Sequence, residues 1–408
     1  FPVHAADGKL LPRFITVRNG DDKGLELVRE GNEKVLRARL ADAEFFWNED
    51  LKLDLVETAK KLSSVVYQDQ LGDMAHRLAR MQRLAALVGD KLAYSDTEQA
   101  QTARAAAICK SDLLSRAVFE FTELQGVMGE YYAQAAGEEP QVAAAVREHY
   151  LPRFAGDELP ATKAGIALAI AERLDSLAGF FAIGLKPTGS QDPYALRRAA
   201  SGIVQIIVER KLQLSVSELV AAAYRQFAAE VELSCGEQQT VEAVCEFIGQ
   251  RLVVLLTDKD YKQDTVAACF AAGADNLLEA ARRVAALDEY RRGEGFAELT
   301  AGFTRAANIL KKAQAPKAAV DPALFADEAE GQLYEAAESA LINVNRALQA
   351  GDYAAALAAV GCLRAAIDSF FEKVMVMDND ERVKNNRLAL LGTVISLTAD
   401  IADLSLLR

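Results

Sequence analysis

The sequence predicts a mainly all-α, multi-domain protein with a short residual β segment at the N-terminus, and three observations carry that expectation. The chain has 408 residues, more than one ordinary core accommodates, so two to four domains are expected. It is 51% hydrophobic with nine prolines, and alanine and leucine dominate the apolar set, which favours helix over sheet. From residue 62 onward apolar side chains recur at helical spacing, broken by glycine and proline clusters.

Taken in order, Leu10 to Val17 reads as a strand whose partners are missing. The opening Phe1-Pro2-Val3-His4, without methionine or an apolar leader, suggests the C-terminal piece of a longer polypeptide. Residues 24–54 are polar with a helical pattern, and Phe45, Phe46 and Trp47 are expected to pack three rings onto a neighbour. Residues 62–185 form one all-helical unit with breaks near 89–90, 137–140 and 156–160. Helices continue over 194–211, 216–231 and 241–257, where Val253-Val254-Leu255-Leu256 is expected to be buried, and a short helix opens at 261–264. A lysine, alanine and proline stretch over 311–322 reads as an exposed loop. Three helices should follow, over 323–349, 353–375 and 381–404, with turns at Gly351-Asp352 and Asp378-Asn379-Asp380. The domains are therefore 1–60, 61–190, 191–290 and 291–408, the last a helical bundle. No apolar run approaches the roughly 18 residues that span a bilayer, so no membrane contact is expected.

Five cysteines, Cys109, Cys235, Cys245, Cys269 and Cys362, lie far apart with no CxxC pair. This fits a reducing cytoplasm and suggests neither a disulfide framework nor a metal site. The net charge of −13 argues against a surface coated by nucleic acid, because phosphate binding relies on lysine and arginine. Local contacts remain open. Residues 281–408 carry 15 basic and 18 acidic side chains against 21 and 29 over 61–280, so the last third is the less hostile to RNA.

The loop 184–198 is the first candidate site. Asp192 followed by Pro193 reads as an N-cap with proline at the first helical position, and Lys186, Arg197 and Arg198 gather around that helix start. It is either a phosphate or carboxylate site or an ordinary capped interdomain turn. No Walker loop and no GxGxxG after a strand occurs, and the paired carboxylates read as solvated faces. In the last third Arg305, Asn308 and Lys312 share a helix face, with Lys311 beside them, while Phe303, Ala307 and Leu310 turn towards the core. Ile367, Phe370, Phe371 and Val374 form an apolar stripe, and Lys373, Arg382, Lys384 and Arg387 cluster near the Asp378 turn.

Two segments of the helical unit resemble worn versions of the metal site of HD-type phosphohydrolases. Ala105-Ala106-Ala107-Ile108-Cys109-Lys110 stands where those enzymes carry a His-Asp pair, and Ala169-Ile170-Ala171-Glu172-Arg173-Leu174-Asp175 resembles their final helix. His76 is the candidate remaining ligand or else a plain helix residue, and His149 receives no role. Cysteine and lysine cannot replace histidine and carboxylate around a hard cation. Lys110 is instead expected to stand near Glu172 and to substitute for the ion electrostatically.

The order of sequence words along the chain resembles the C-terminal part of the β subunit of bacterial glycyl-tRNA synthetase, the heterotetrameric kind. The words include Leu11-Pro12-Arg13-Phe14-Ile15-Thr16-Val17, Arg39-Leu40-Ala41-Asp42-Ala43-Glu44-Phe45-Phe46-Trp47, Glu123-Leu124-Gln125-Gly126-Val127-Met128-Gly129 and Phe370-Phe371-Glu372-Lys373-Val374-Met375. The resemblance implies a degenerate HD-like domain over 61–190 and a C-terminal anticodon-binding helical bundle. It further implies that glycine ligation, with its ATP and Mg, belongs to an α subunit, with tRNA(Gly) and a second β subunit as partners and no cofactor on this piece. Phosphate contacts then fall to Arg305, Lys311, Lys312, Lys384 and Arg387, and base contacts to Asn308 and Arg382. For Lys186, Arg197 and Arg198 an acceptor-arm phosphate and the α subunit stay equally open. The rival readings are a metal phosphohydrolase on the HD-like unit and a helical scaffold without RNA affinity.

Overall fold

In the computed structural model residues 1–313 and 319–407 are described, and helices dominate them. The first strand is not without a partner. Leu10–Phe14 pairs antiparallel with Pro2–His4, a segment too short to announce itself by alternation. Gly24, left-handed at φ 69°, then opens the helix Leu25–Asp50, of which only Asp50 is buried. The Asp50 carboxylate accepts from the backbone N–H of Arg116 and Ala117 and from the Tyr132 hydroxyl, each at 2.9 Å. Trp47 stacks on Tyr132 with ring centroids 5.6 Å apart. The expected trio of packed rings is corrected: Phe45 is 53% exposed, because residues two apart on a helix point to opposite sides.

The helical unit breaks at 137–140 and 156–160 as its glycines and prolines predicted, but Gly89 and Asp90 lie inside Met74–Lys91, and the unit is not all-helical, since Val66–Gln68 pairs antiparallel with Gly72–Asp73. Its main helices are Met74–Lys91, Asp96–Ile108, Val127–Ala135, Pro140–Glu148 and Lys163–Ala182. Lys163–Ala182 is the axis of the molecule. From Ala164 to Ala182 every residue is buried except Glu172 and Ser176, which lie one turn apart and mark a single polar stripe. On one side the axis packs against Met74–Lys91, Asp96–Ile108 and Pro140–Glu148, and on the other against Leu196–Glu209, Val216–Ala228 and Glu237–Asp258. The core therefore runs without a gap across residue 190.

In Glu237–Asp258 the buried leucines are Leu252 and Leu256, while Val254 is 47% exposed. The expectation that 253–256 is buried as a block fails because a helix turns four consecutive residues around its whole circumference.

The last third comprises Leu277–Tyr290, Phe296–Ala313, Glu328–Gln349, Tyr353–Gly361, Arg364–Lys373 and Glu381–Ser396. Of the exposed loop expected over 311–322, Lys311 and Lys312 belong to the preceding helix, and residues 314–318 lie outside the described residues. The expected 353–375 helix is two helices that meet at Cys362-Leu363. Tyr353–Lys373 is nevertheless the one segment, among the described residues, apolar and long enough by composition to cross a membrane, which corrects the reading that no run approaches that length. It is divided between two helices, each packed against Glu328–Gln349 in the bundle. The final helix stops at Ser396 rather than at 404, and a last 3-10 turn spans Leu404–Leu406.

Candidate functional site

The polar stripe on the axial helix meets a set of cations. Lys110, 2% exposed at its side chain, donates to Glu172 Oε1 at 2.6 Å. Arg77 donates to the same oxygen at 3.3 Å and to Ser176 Oγ at 2.9 Å, with its guanidinium over the Tyr67 ring. One turn along, Arg80 donates to Asp175 Oδ1 at 2.6 Å with both side chains fully buried, and reaches Glu230 at 2.8 Å. Burial opposes the Glu172 charge, yet Lys110 first and Arg77 with it hold its carboxyl below the usual carboxylate range. Burial likewise pulls the Lys110 ammonium down, and pushes the Cys109 thiol up to about 12, so Cys109 is an inert thiol. Among the described residues no three His, Cys, Asp or Glu side chains gather in a way that could hold a metal. The donor set does not fit an ion, because Lys110, Arg77 and Arg80 bring positive charge against both carboxylates.

Of the two readings of His76 the structure favours the plain helix residue, and it brings His149 into the cluster instead. His76 is exposed and bonds Asp73 at 2.9 Å, the residue that caps its own helix. Its neighbour Arg77 is the residue that turns inward. His149, given no role by the sequence, is fully buried in the cluster with Nε2 3.3 Å from Glu172 Oε2. Its Nδ1–H donates to the Val146 carbonyl at 2.6 Å, and burial, aided by Lys110, lowers its pKa to about 3. The ring is therefore neutral at pH 7 with its Nε2 lone pair towards a carboxylate. Its position just before Pro152 hid this, since a proline two or three residues on reads only as a helix end. Arg173 anchors the segment that carries His149, donating to the carbonyls of His149, Ala169, Tyr150 and Pro152 at 2.8–3.1 Å.

The loop 184–198 is rearranged relative to its reading. The helix begins at Leu196, after Ala195 at φ 54°, rather than at Pro193. The Asp192 carboxylate does cap it, accepting from Leu196 N–H and Arg197 N–H at 2.9 Å each. An internal anion thus already occupies the helix N-terminus. The three cations do not gather: Lys186 lies near the Phe181 ring at 5.5 Å, and Arg197 folds onto the loop carbonyls of Gly189 and Gln191. Arg198 alone turns to line the cleft that leads down to Glu172 and His149.

In the bundle Arg305, Asn308, Lys311 and Lys312 are all exposed on Phe296–Ala313, whose other face buries Leu299, Gly302, Phe303 and Ala306. Ala307 and Leu310 are only half-buried. The Arg305 guanidinium lies 4.3 Å from the centroid of Phe371, and Met375 and Met377 stand exposed further along that chain segment. Arg382 is exposed, and Lys384 is half-buried with Glu381 at 3.1 Å. Arg387 must be taken out of this surface set. It is buried and donates to Glu330 Oε1 at 2.8 Å, to Asp378 Oδ2 at 2.7 Å and to the Met375 carbonyl at 2.9 Å. Glu330 is itself fully buried and closes the capping box at Asp327, so Arg387 is a bolt joining two helices and a turn.

Comparison with known proteins agrees with this architecture. Residues 1–271 match the family described as glycyl-tRNA synthetase beta subunit, and residues 299–404 match the DALR anticodon binding domain. The glycine–tRNA ligase beta subunit of Moorella thermoacetica is 45% identical over 406 residues, covering 99% of this chain and 58% of the relative. Those of Clostridioides difficile and Halalkalibacterium halodurans are 44% and 43% identical, again with 99% and 58% covered. The chain thus spans somewhat over half the length of these relatives.

Proposed function

This chain belongs to the glycyl-tRNA synthetase β-subunit family, and we propose that it supplies tRNA(Gly) binding while a separate α chain ligates glycine with ATP and Mg. The assembly proposed is cytoplasmic, with a second β chain present and no cofactor held by this chain. One observation carries the reading: within 299–404, the stretch similar to an anticodon-binding domain, Arg305, Lys311, Lys312 and Arg382 are exposed and enter no ion pair among the described residues. Phe371 holds the Arg305 guanidinium in a fixed plane, so it meets an incoming phosphate with little loss of side-chain freedom. Lys311 and Lys312 extend the same edge, and the Asn308 amide and Arg382 stand where they can address the edges of bases unstacked in a loop. Lys384 is the weaker contact because Glu381 already pairs with it. Lys186 and Arg197 keep a choice between the α chain and the tRNA acceptor arm.

Titration with tRNA(Gly) and with an anticodon-altered copy, at two salt concentrations, tests this. The intact anticodon should bind more tightly, and Arg305→Ala should weaken binding about tenfold, about 1.4 kcal/mol, with an unchanged helical spectrum. Equal affinity for both RNAs would move the contact off the anticodon, and no affinity for either at physiological salt would leave the chain as a scaffold.

A further inference from the structure

The buried charge cluster of residues 61–190 is not sealed. A cleft of about 250 Å³ connects it to solvent, and its floor and mouth differ in chemistry. On the floor, His149 Nε2 and Glu172 Oε2 face one another at 3.3 Å, and neither holds a hydrogen bond. Because His149 Nδ1–H is engaged by Val146, both facing atoms are acceptors, and a buried acceptor left unsatisfied costs about 1–3 kcal/mol. Any group donating between them removes that cost. At the mouth stand Arg153 and Arg198. Arg198 enters no ion pair among the described residues, and its side-chain bond is a long one of 3.5 Å to the Arg153 carbonyl. Arg173, deeper, has carbonyls as partners rather than a carboxylate. Of the charged residues lining the cleft, Arg77, Arg153, Arg173 and Arg198 oppose Glu123 and Glu172. Asp157 pairs with Arg153 at 2.9 Å, so these four cations face three anions and leave a local excess of one positive charge in a chain of net charge −13.

We propose that this cleft binds a small phosphate monoester without a metal, its phosphate held by Arg198 beside the Asp157-paired Arg153, and a hydroxyl or amino group of the same molecule bridging His149 and Glu172. A single small anion fits that excess, and Arg198 is the cation at the mouth free to receive it. A nucleic-acid strand does not, since it needs a track of cations along its phosphates, whereas here Glu123 stands at the same cleft. No reaction follows, because Lys110 and Arg77 engage Glu172 where a catalytic ion would need it. The cleft is independent of the tRNA surface of the bundle, and its ligand stands even if that surface holds no RNA.

The test is calorimetric titration of the chain with AMP, with inorganic phosphate and with adenosine. AMP should bind at least tenfold more tightly than either fragment, since only AMP reaches both mouth and floor. Arg198→Glu should weaken AMP binding at least tenfold, whereas Lys34→Glu, the same charge change on the exposed face of Leu25–Asp50, should not alter it. Of the three histidines in the chain, His149 should shift its Nε2 nitrogen resonance with AMP and not with phosphate. Absence of AMP binding, equal affinity for AMP and phosphate, an unaffected Arg198→Glu, or displacement of AMP only by RNA would each overturn the proposal.

Discussion

Replacing Lys110 by methionine keeps the length of the side chain and deletes its charge, so it isolates what the ammonium does for Glu172. The Lys110–Glu172 pair is at 2.6 Å with both side chains largely out of water. Removing one member of such a pair costs about 3–5 kcal/mol, because the other charge is left buried without its partner. Arg77 still reaches the carboxylate at 3.3 Å, which favours the lower end. Loss of the ammonium over the Tyr150 ring, 3.9 Å from its centroid, adds up to about 2 kcal/mol for a desolvated cation. A destabilisation near 4 kcal/mol is expected. Glu172→Gln should cost a similar amount, since it leaves Lys110 buried with the ring alone. The double variant carries neither charge and should be more stable than the sum of the single losses predicts, by about 2–4 kcal/mol. Urea unfolding followed by the single tryptophan reads this directly, because Trp47 stacks on Tyr132 within the same unit. Single variants within about 0.5 kcal/mol of the parent, or strictly additive losses, would refute the view that a fixed cation replaces an ion here.

Arg387→Met should destabilise the bundle by about 3–5 kcal/mol through the stranded, fully buried Glu330, while the molecules that remain folded bind tRNA as the parent does; chemical denaturation and a titration on the folded fraction check the two halves. The pH dependence follows from His149. Its pKa is about 3 when folded against about 6.5 in an unfolded chain, so between those values only the unfolded chain binds the proton. Stability is therefore full above about pH 6.5 and declines towards pH 3 by up to about 1.4 kcal/mol per unit. The urea midpoint of His149→Gln should fall less steeply from pH 7 to 4 than that of the parent, and parallel profiles would count against the assignment.

How far the sequence was readable depended on the range of the interaction. The helix breaks at 137–140 and 156–160 were legible because glycine and proline act on their own backbone. The Lys110–Glu172 pairing was legible only through a resemblance, since 62 residues separate the two. Arg305 and Arg387 illustrate the limit. Both are cations on amphipathic helices, and no local pattern tells them apart. What separates them is Glu330, 57 residues from Arg387 and folded into a capping box that turns its carboxylate inward. The capping box at Asp327 and Glu330 is itself a sequence signal, but it reports a helix start and not the arginine that will meet its glutamate. His149 was missed for the same reason, and so was the Pro2–His4 strand, whose three residues carry no alternation. Asp192 erred differently. Its capping role was read correctly, but Ala195 takes the left-handed conformation that delays the helix by three residues, and the loop cations were then sent elsewhere.

The same sorting of cations decides how an acidic chain can hold RNA. Among the described residues Arg305, Lys311, Lys312 and Arg382 enter no ion pair, whereas Arg387 and Lys384 on the final helix are engaged by carboxylates. Four unpaired cations set the number of phosphates that this face can neutralise. With about 0.7–0.9 counterions released per phosphate, the logarithm of affinity should fall with the logarithm of salt at a slope of about −3 to −4. The bulk charge of −13 does not alter that count, because beyond about 8–10 Å it is screened at physiological ionic strength, while the contacts act at the distance of a hydrogen bond. It acts instead on the approach, slowing association at low salt. A measured slope much steeper than −4 would mean that cations beyond these four, such as the exposed Arg346, Arg364 and Lys373 of the same bundle, also carry the RNA.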